Sequence, residues 1–253
     1  MNAPAPVEPT GDTTSDWALE LTDVHATIGV SHILQGVTLR VPRNTVTAML
    51  GRNGVGKTTT LRAVLGLVPR TGSILLDGVP IERETTPRIV RRGIGYVPED
   101  RDVFGGLTVQ ENLRLAERKG GEHHYDRVFE LFPELRKRAR QHAGTLSGGQ
   151  QQMVSLGRGL LNDNRVLLID EPTKGLAPKL VSEVVEVLER VRSVATILLV
   201  EQNIAAAHRL AGHVVAMTEG RVEAQGPADE LLADDQRVRE LLGVTDSHRE
   251  ERH

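Results

Sequence analysis

The residues able to do chemistry fall in three short segments. The first is a loop containing Gly51, Asn53, Gly54, Gly56, Lys57, Thr58 and Thr59. Its spacing is G-x-x-x-x-G-K-[ST] in full. Glycines at that spacing let the backbone fold into a concave nest of N–H groups suited to phosphate. A helix that opens there adds its positive end. Lys57 would reach the β- and γ-phosphates of a nucleotide, and the Thr58 hydroxyl would ligate magnesium. A glycine-rich turn sharing these letters by chance is the bland alternative. The apolar strand at 45–50 and the helical stretch at 57–67 supply the context that the pattern requires. By itself the loop leaves GTPases, small-molecule kinases and many ATPases open.

The second segment is an apolar strand, 166–169, that ends in Asp170 and Glu171. Ligands of open parallel sheets collect at the carboxyl ends of strands, so this pair and the loop can share one edge. Adjacent residues at a strand end point in different directions, which allows two roles. Asp170 would hold magnesium, usually through water, and Glu171 would polarise an attacking water. Alone, the pair reads equally well as an acidic turn; beside the loop, the catalytic reading prevails. The third segment is Leu146, Ser147, Gly148, Gly149 and Gln150. Ser147 and the glycine N–H groups precede a helix, making a second anion-binding end. A flexible loop that caps a helix is compatible with that role.

With Leu146-Ser147-Gly148-Gly149-Gln150 placed before Asp170, the chain resembles the ABC ATPases over about 17–244. The resemblance implies a P-loop NTPase (ABC ATPase) α/β core with an antiparallel β subdomain and a helical subdomain. It implies ATP and Mg2+ as ligands, ATP hydrolysis coupled to transport, and a head-to-tail dimer with a second ABC ATPase subunit. There, the Ser147 end would meet the γ-phosphate held by the partner. Finer likeness lies in the run 171–178, with Gly175, Leu176, Ala177 and Pro178, in 97–101, 107–113 and 130–135, and in Val200, Glu201, Gln202 and Asn203. These are similar to the second ATPase of branched-chain amino acid importers and of their urea and amide relatives. That likeness implies two transmembrane permease subunits, a substrate-binding protein outside, and a peripheral position on the cytoplasmic face of the membrane.

Four positions depart from the common ABC pattern. Glu99 stands where most members have Gln; it could reach magnesium through water but adds a negative charge. Gln202 replaces His and can donate a hydrogen bond but cannot be cationic. Ala177 replaces an Asp. Ile28 replaces the aromatic that stacks on adenine, leaving an apolar contact without a ring. Unequal sites are the resulting expectation: this chain's own loop forms the weaker one, and 146–150 completes the partner's.

The positioning elements follow from apolar periodicity. Strands are predicted at 17–27, 37–41, 45–50, 73–76, 94–97, 166–169 and 196–200, with a hairpin at 214–217 and 221–225. Helices are predicted at 57–67, 108–118, 125–132, 149–161, 178–192, 228–233 and 236–242. Apolar strands alternating with helices imply a parallel sheet covered on both faces. The segment at about 103–162 reads as a mostly helical insertion.

Composition narrows the classes. The 253 residues include no cysteine, which excludes disulfides, thiolate metal sites and cysteine nucleophiles. A net charge of -3 gives no reason to expect nucleic acid as a partner. No apolar run approaches the ~18–20 residues of a membrane span. Residues 1–16 read as a disordered tail without the basic start and apolar stretch of a secretory signal, and 245–253 as a second polar tail. The basic run 135–142 reads as a solvated helix face. His123 and His124 lack a partner at i+4 and read as exposed loop histidines. From the resemblance alone, 96–112 would receive a coupling helix of the membrane subunit, with Phe104 and Leu107 as apolar anchors. A soluble ABC ATPase of translation or DNA repair usually joins two such domains or carries coiled coils; one phosphate loop and no heptads argue against it. A GTPase or kinase would have no use for 146–150, and Glu171 argues against a binding-only module.

Overall fold

The computed structural model describes residues 16–192 and 195–233. The expected tail at 1–16 apart from Asp16, the expected tail at 245–253 and the expected helix at 236–242 lie outside the described residues. In chain order the strands are β1 (Trp17–Ile28), β2 (Ser31–Pro42), β3 (Val46–Leu50), β4 (Arg70–Leu76), β5 (Val79–Pro80), β6 (Ile94–Val97), β7 (Val166–Asp170), β8 (Thr196–Val200), β9 (His213–Thr218) and β10 (Arg221–Pro227). The helices are α1 (Lys57–Leu65), α2 (Thr86–Arg91), α3 (Val109–Arg114), α4 (Tyr125–Leu131), α5 (Pro133–Lys137), α6 (Gly148–Leu160), α7 (Pro178–Val191), α8 (Ile204–Leu210) and α9 (Ala228–Leu231).

β3, β7 and β8 are buried along their whole length. Their near-continuous apolar runs are what a parallel sheet covered on both faces demands. The sheet runs β10-β9-β3-β8-β7-β6. β6, β7, β8, β3 and β9 are parallel, and β10 returns antiparallel on β9. Alternate side chains feed two cores. Met49, Leu168, Leu198 and Val200 pack with Leu61, Val64 and Leu65 of α1 and with the second, antiparallel sheet, ordered β2-β1-β4-β5. Leu167, Ile169, Ile197 and Leu199 pack on the other face with Val154 and Leu156 of α6 and Val184 and Leu188 of α7. Helix α1 is thereby held between the two sheets. Between β6 and β7 the chain passes through α3, α4, α5 and α6, whose Val109, Leu113, Val128, Leu135 and Val154 join that second core.

Several expectations shift. The second strand begins at Ser31 rather than 37, because a two-residue turn with Gly29 at φ 59° folds it directly onto β1. Polar His32 and Gln35 hid it from the apolar pattern. The helix predicted at 108–118 stops at Arg114. Arg118 then turns its guanidinium onto the carbonyls of Ile94 (2.9 Å) and Asp163 (3.2 Å) and onto Asn164 Oδ1 (2.7 Å). The basic run 135–142 is not one solvated helix face. α5 ends at Lys137, Leu135 is fully buried, and Arg138 closes a turn onto Gln141. α2 and α8 were not visible as periodic stretches; each is under two turns long, and α2 buries only Ile89. Among the described residues no helix is long and apolar enough to cross a membrane.

Candidate functional site

The loop from Gly51 to Gly56 joins β3 to α1, as its residue pattern predicts. Gly56 has φ 106°, and a Cβ there would lie 2.8 Å from Leu34 Cδ2, so only glycine lets the loop pass this close to β2. Lys57 is 4% exposed. Its Nζ donates to the carbonyls of Gly51 (2.8 Å) and Arg52 (2.9 Å) and lies 3.7 Å from Glu171 Oε1. Burial lowers the Lys57 pKa, and the Glu171 and Asp170 carboxylates oppose that shift. Thr59 and Thr60 are buried, and Thr60 donates to the Gly56 carbonyl at 3.0 Å.

Asp170 closes β7 opposite Val200 and has no exposed surface. Its Oδ1 accepts from Thr58 Oγ1 at 3.1 Å, and its Oδ2 has no hydrogen-bond partner. Burial pushes the carboxyl up to about 6; the Thr58 hydrogen bond opposes the shift, while Glu99 and Glu171 add to it. A hydroxyl beside a carboxylate with an orphaned buried oxygen is a hard-oxygen donor set. It fits magnesium, which takes one or two protein ligands and keeps several waters. Glu171 follows with φ 44°, its N–H donating to the Val200 carbonyl at 2.9 Å. That left-handed turn carries its carboxylate away from Asp170 and onto Gln202, whose Nε2 donates to Glu171 Oε1 and to Asn53 Oδ1, both at 2.5 Å. The loop, the strand-end acids and Gln202 therefore meet at one sheet edge.

Glu99 does not reach Thr58 or Asp170 directly. It pairs with Lys174, whose Nζ also lies 3.5 Å from Glu171 Oε2. Lys174 was not among the residues singled out in the sequence, nor was Glu201 as a group of the site. Glu201 is 2% exposed. Its carboxylate accepts from Thr173 Oγ1 (2.9 Å) and from the backbone N–H groups of Gln202 and Asn203 (both 3.1 Å). Burial raises its pKa against those bonds. Glu201 thus fixes the turn after β8 from which Gln202 projects. An acid closing a short apolar run, as Asp170 closes 166–169, was the available signal.

Two other expected parts stand apart from the loop. Ser147 caps α6 in a reciprocal box: the Gln150 N–H donates to Ser147 Oγ at 3.4 Å and the Ser147 N–H to Gln150 Oε1 at 3.1 Å. Ser147 and Gly148 are exposed. Gly149 is buried where a Cβ would lie 2.4 Å from Leu180 Cδ1, so it sets the approach of α6 to α7. Ile28 sits at the tip of the β1–β2 hairpin, 46% exposed.

The two histidines are half-buried rather than exposed. His123 Nε2 lies 3.0 Å from the Arg118 carbonyl, and His124 precedes α4 with its Nε2 2.8 Å from Asp163. Glu122, His124 and Asp163 bring potential ligand atoms within 4.8 Å of one another. The Arg127 guanidinium, 3.5 Å from Asp163, already supplies positive charge there. A groove of about 340 Å³ separates the end of β6 from α3 and α6, lined by Tyr96, Pro98, Leu115, Glu117 and Arg158. Phe104 on the following loop is 50% exposed with the Arg158 guanidinium over its ring, whereas Leu107 is half-buried.

Residues 34–174 match the ABC transporter family. The chain is 35% identical over 222 residues to a protein of Archaeoglobus fulgidus described as a probable branched-chain amino acid transport ATP-binding protein, LivF, covering 85% of this chain and 94% of that one. It is 38% identical over 200 residues to the high-affinity branched-chain amino acid transport ATP-binding protein BraG of Pseudomonas aeruginosa, covering 77% and 86%. The lipopolysaccharide export ATP-binding protein LptB of Escherichia coli K12 matches at 32% over 219 residues, covering 83% and 91%. Among solved structures, an ATP-binding subunit of an ABC transporter superposes with a TM-score of 0.73 at 29% identity, covering 91% of this chain and 95% of that one.

Proposed function

This chain belongs to the ABC transporter family, as an ATP-binding subunit that hydrolyses ATP to drive transport, and we propose that the cargo of its transporter is branched-chain amino acids. The observation that carries the cargo reading is the match along 94% of the LivF sequence and 86% of BraG. Glu99, Ala177 and Gln202, which depart from the common ABC pattern, agree with it.

In this reading the loop N–H groups and Lys57 hold the phosphates of ATP. To do so Lys57 exchanges the Gly51 and Arg52 carbonyls for phosphate oxygens. Thr58 and Asp170 hold magnesium, with Glu99 reaching it only through water. Held there, magnesium would supply positive charge against the phosphates of the nucleotide. Glu171 accepts the proton of the attacking water, and Gln202 aims Glu171 through their 2.5 Å bond. Ile28 offers adenine an apolar face. The exposed N-terminus of α6, with Ser147, Gly148, Gly149 and Gln150, completes the site of a second ABC ATPase in a head-to-tail dimer. The groove beside Tyr96 and Leu115 receives a segment of one of two transmembrane permeases, holding the chain at the cytoplasmic face of the membrane. A substrate-binding protein outside completes the assembly.

Purification of tagged chain from membranes in mild detergent tests this. Two polytopic proteins, a second ATPase, and leucine uptake that depends on the chain are the expected result. Recovery with a urea- or amide-specific binding protein would replace the cargo. A chain recovered only with soluble partners would remove the transporter.

A further inference from the structure

The hydrolytic corner of this chain carries more acid than the fold requires. Asp170, Glu171, Glu99 and Glu201 gather within one set of loops, and a nucleotide would add further negative charge. Lys57 is the buried cation facing them, 3.7 Å from Glu171. The Arg62 charge also acts on Asp170, and a further cation, Lys174, lies three residues after Glu171. Its Nζ bonds Glu99 Oε1 and lies 3.5 Å from Glu171 Oε2, so one ammonium bridges two carboxylates that would otherwise repel. Its side chain is 53% exposed, and among the described residues these two acids are the partners of its side-chain hydrogen bond and ion pairs. The backbone assists, since the Lys174 N–H donates to the Glu171 carbonyl at 3.1 Å and closes the turn that brings the side chain back over the acids.

We propose that Lys174 is a positioning residue of the ATP site. It supplies the charge that lets a glutamate occupy position 99 beside the general base, and it ties the loop after β6 to the loop after β7. Position 99 directly follows Pro98, which lines the groove between β6 and α3, and leads on to Phe104. Lys174 therefore joins the hydrolytic glutamate to the chain that borders that groove. Two consequences follow from charge alone. Removing the ammonium leaves two adjacent carboxylates uncompensated and weakens binding of an anionic ligand. Removing the Glu99 charge at the same time restores the balance, because the pair contributes no net charge.

This rests on the assignment of Glu99 and Glu171 to the nucleotide site, which a Lys57→Ala control examines separately. Binding of ADP to the full chain, measured by calorimetry without magnesium, reads the charge balance independently of turnover. Lys174→Met is expected to weaken ADP binding about fivefold, the scale of one partly exposed ion pair. Lys174→Arg is expected to stay within twofold of the parent, and the double variant Glu99→Gln/Lys174→Met to return within twofold. A merely structural lysine would not be rescued by a second substitution. A Lys174→Met Kd within twofold of the parent overturns the inference, as does a double variant as weak as Lys174→Met. If Lys57→Ala leaves ADP affinity unchanged, the site assignment falls and this inference with it. A loss with Lys57→Ala alone, with Lys174→Met unchanged, overturns only the role of Lys174.

Discussion

Replacing Glu171 by glutamine removes one negative charge from a side chain 6% exposed while preserving its shape. The Gln202 Nε2 hydrogen bond survives, because an amide oxygen accepts as a carboxylate does. What is lost is the ability to take a proton from water. General-base catalysis is worth roughly 100- to 10,000-fold, about 3–5 kcal/mol of barrier. Nucleotide affinity should move the other way. Glu171 Oε1 lies 3.7 Å from Lys57 Nζ, a bare attraction of roughly 4 kcal/mol at an effective dielectric near 20. Only part of it holds Lys57 back, since Asp170 and two carbonyls pull on the same ammonium. Glu171→Gln is therefore expected to cut turnover at least 100-fold while binding nucleotide as tightly as the parent or more tightly. Phosphate release at saturating Mg-ATP, read beside equilibrium nucleotide binding, separates the two. Turnover within tenfold of the parent would refute the base assignment. Affinity falling in step with turnover would show that Glu171 holds the site together rather than working in it. In the transporter with a second ATPase, the equivalent substitution in the partner should cost more transport than this one; equal losses would remove the unequal-site reading.

Gly220→Ala should destabilise the chain by about 1–3 kcal/mol, seen as a lower urea midpoint, because φ is +78° and the new Cβ would meet the Ile33 carbonyl oxygen at 2.1 Å. An unchanged midpoint would show that β2 and the turn after β9 part more easily than their mutual hydrogen bonds suggest. His213 is 9% exposed with an unpartnered Nδ1, and burial lowers its pKa below 6.5. Its folded pKa being depressed, its contribution is fully present above pH 6.5 and is lost as pH falls through the folded value. Unfolding of His213→Gln across that range should show a flatter acid limb, and identical slopes would contradict the shift. Phe104→Asp with Leu115→Asp should release the chain from membranes while leaving nucleotide binding intact, both side chains being at least half exposed beside the groove. Retention on washed membranes would place the contact elsewhere.

The local chemistry was legible in the letters. A phosphate loop must follow a strand and open a helix, so Gly51, Lys57 and Thr58 announced their own backbone. Apolar five-residue runs ending in acids marked β7 and, less noticed, β8. Those signals are short-range and need no knowledge of the rest of the chain. What the sequence could not assign were contacts made across the fold. Lys174 reaches Glu99 over 75 positions and Gln202 reaches Asn53 over 149, whereas the meeting of Thr58 and Asp170 was already expected from their shared magnesium role. Strand order decides these pairs: β3 lies beside β8, β8 beside β7 and β7 beside β6, which lines up the carboxyl ends of four strands distant in sequence. The same holds for the first half of β2, where polar His32 and Gln35 carried no signal; its pairing with β1 and the bond from the Gln35 N–H to the Gly220 carbonyl place it in the sheet. Residue types set which groups could do chemistry; the parallel sheet, by fixing neighbours through backbone hydrogen bonds, decided which of them meet.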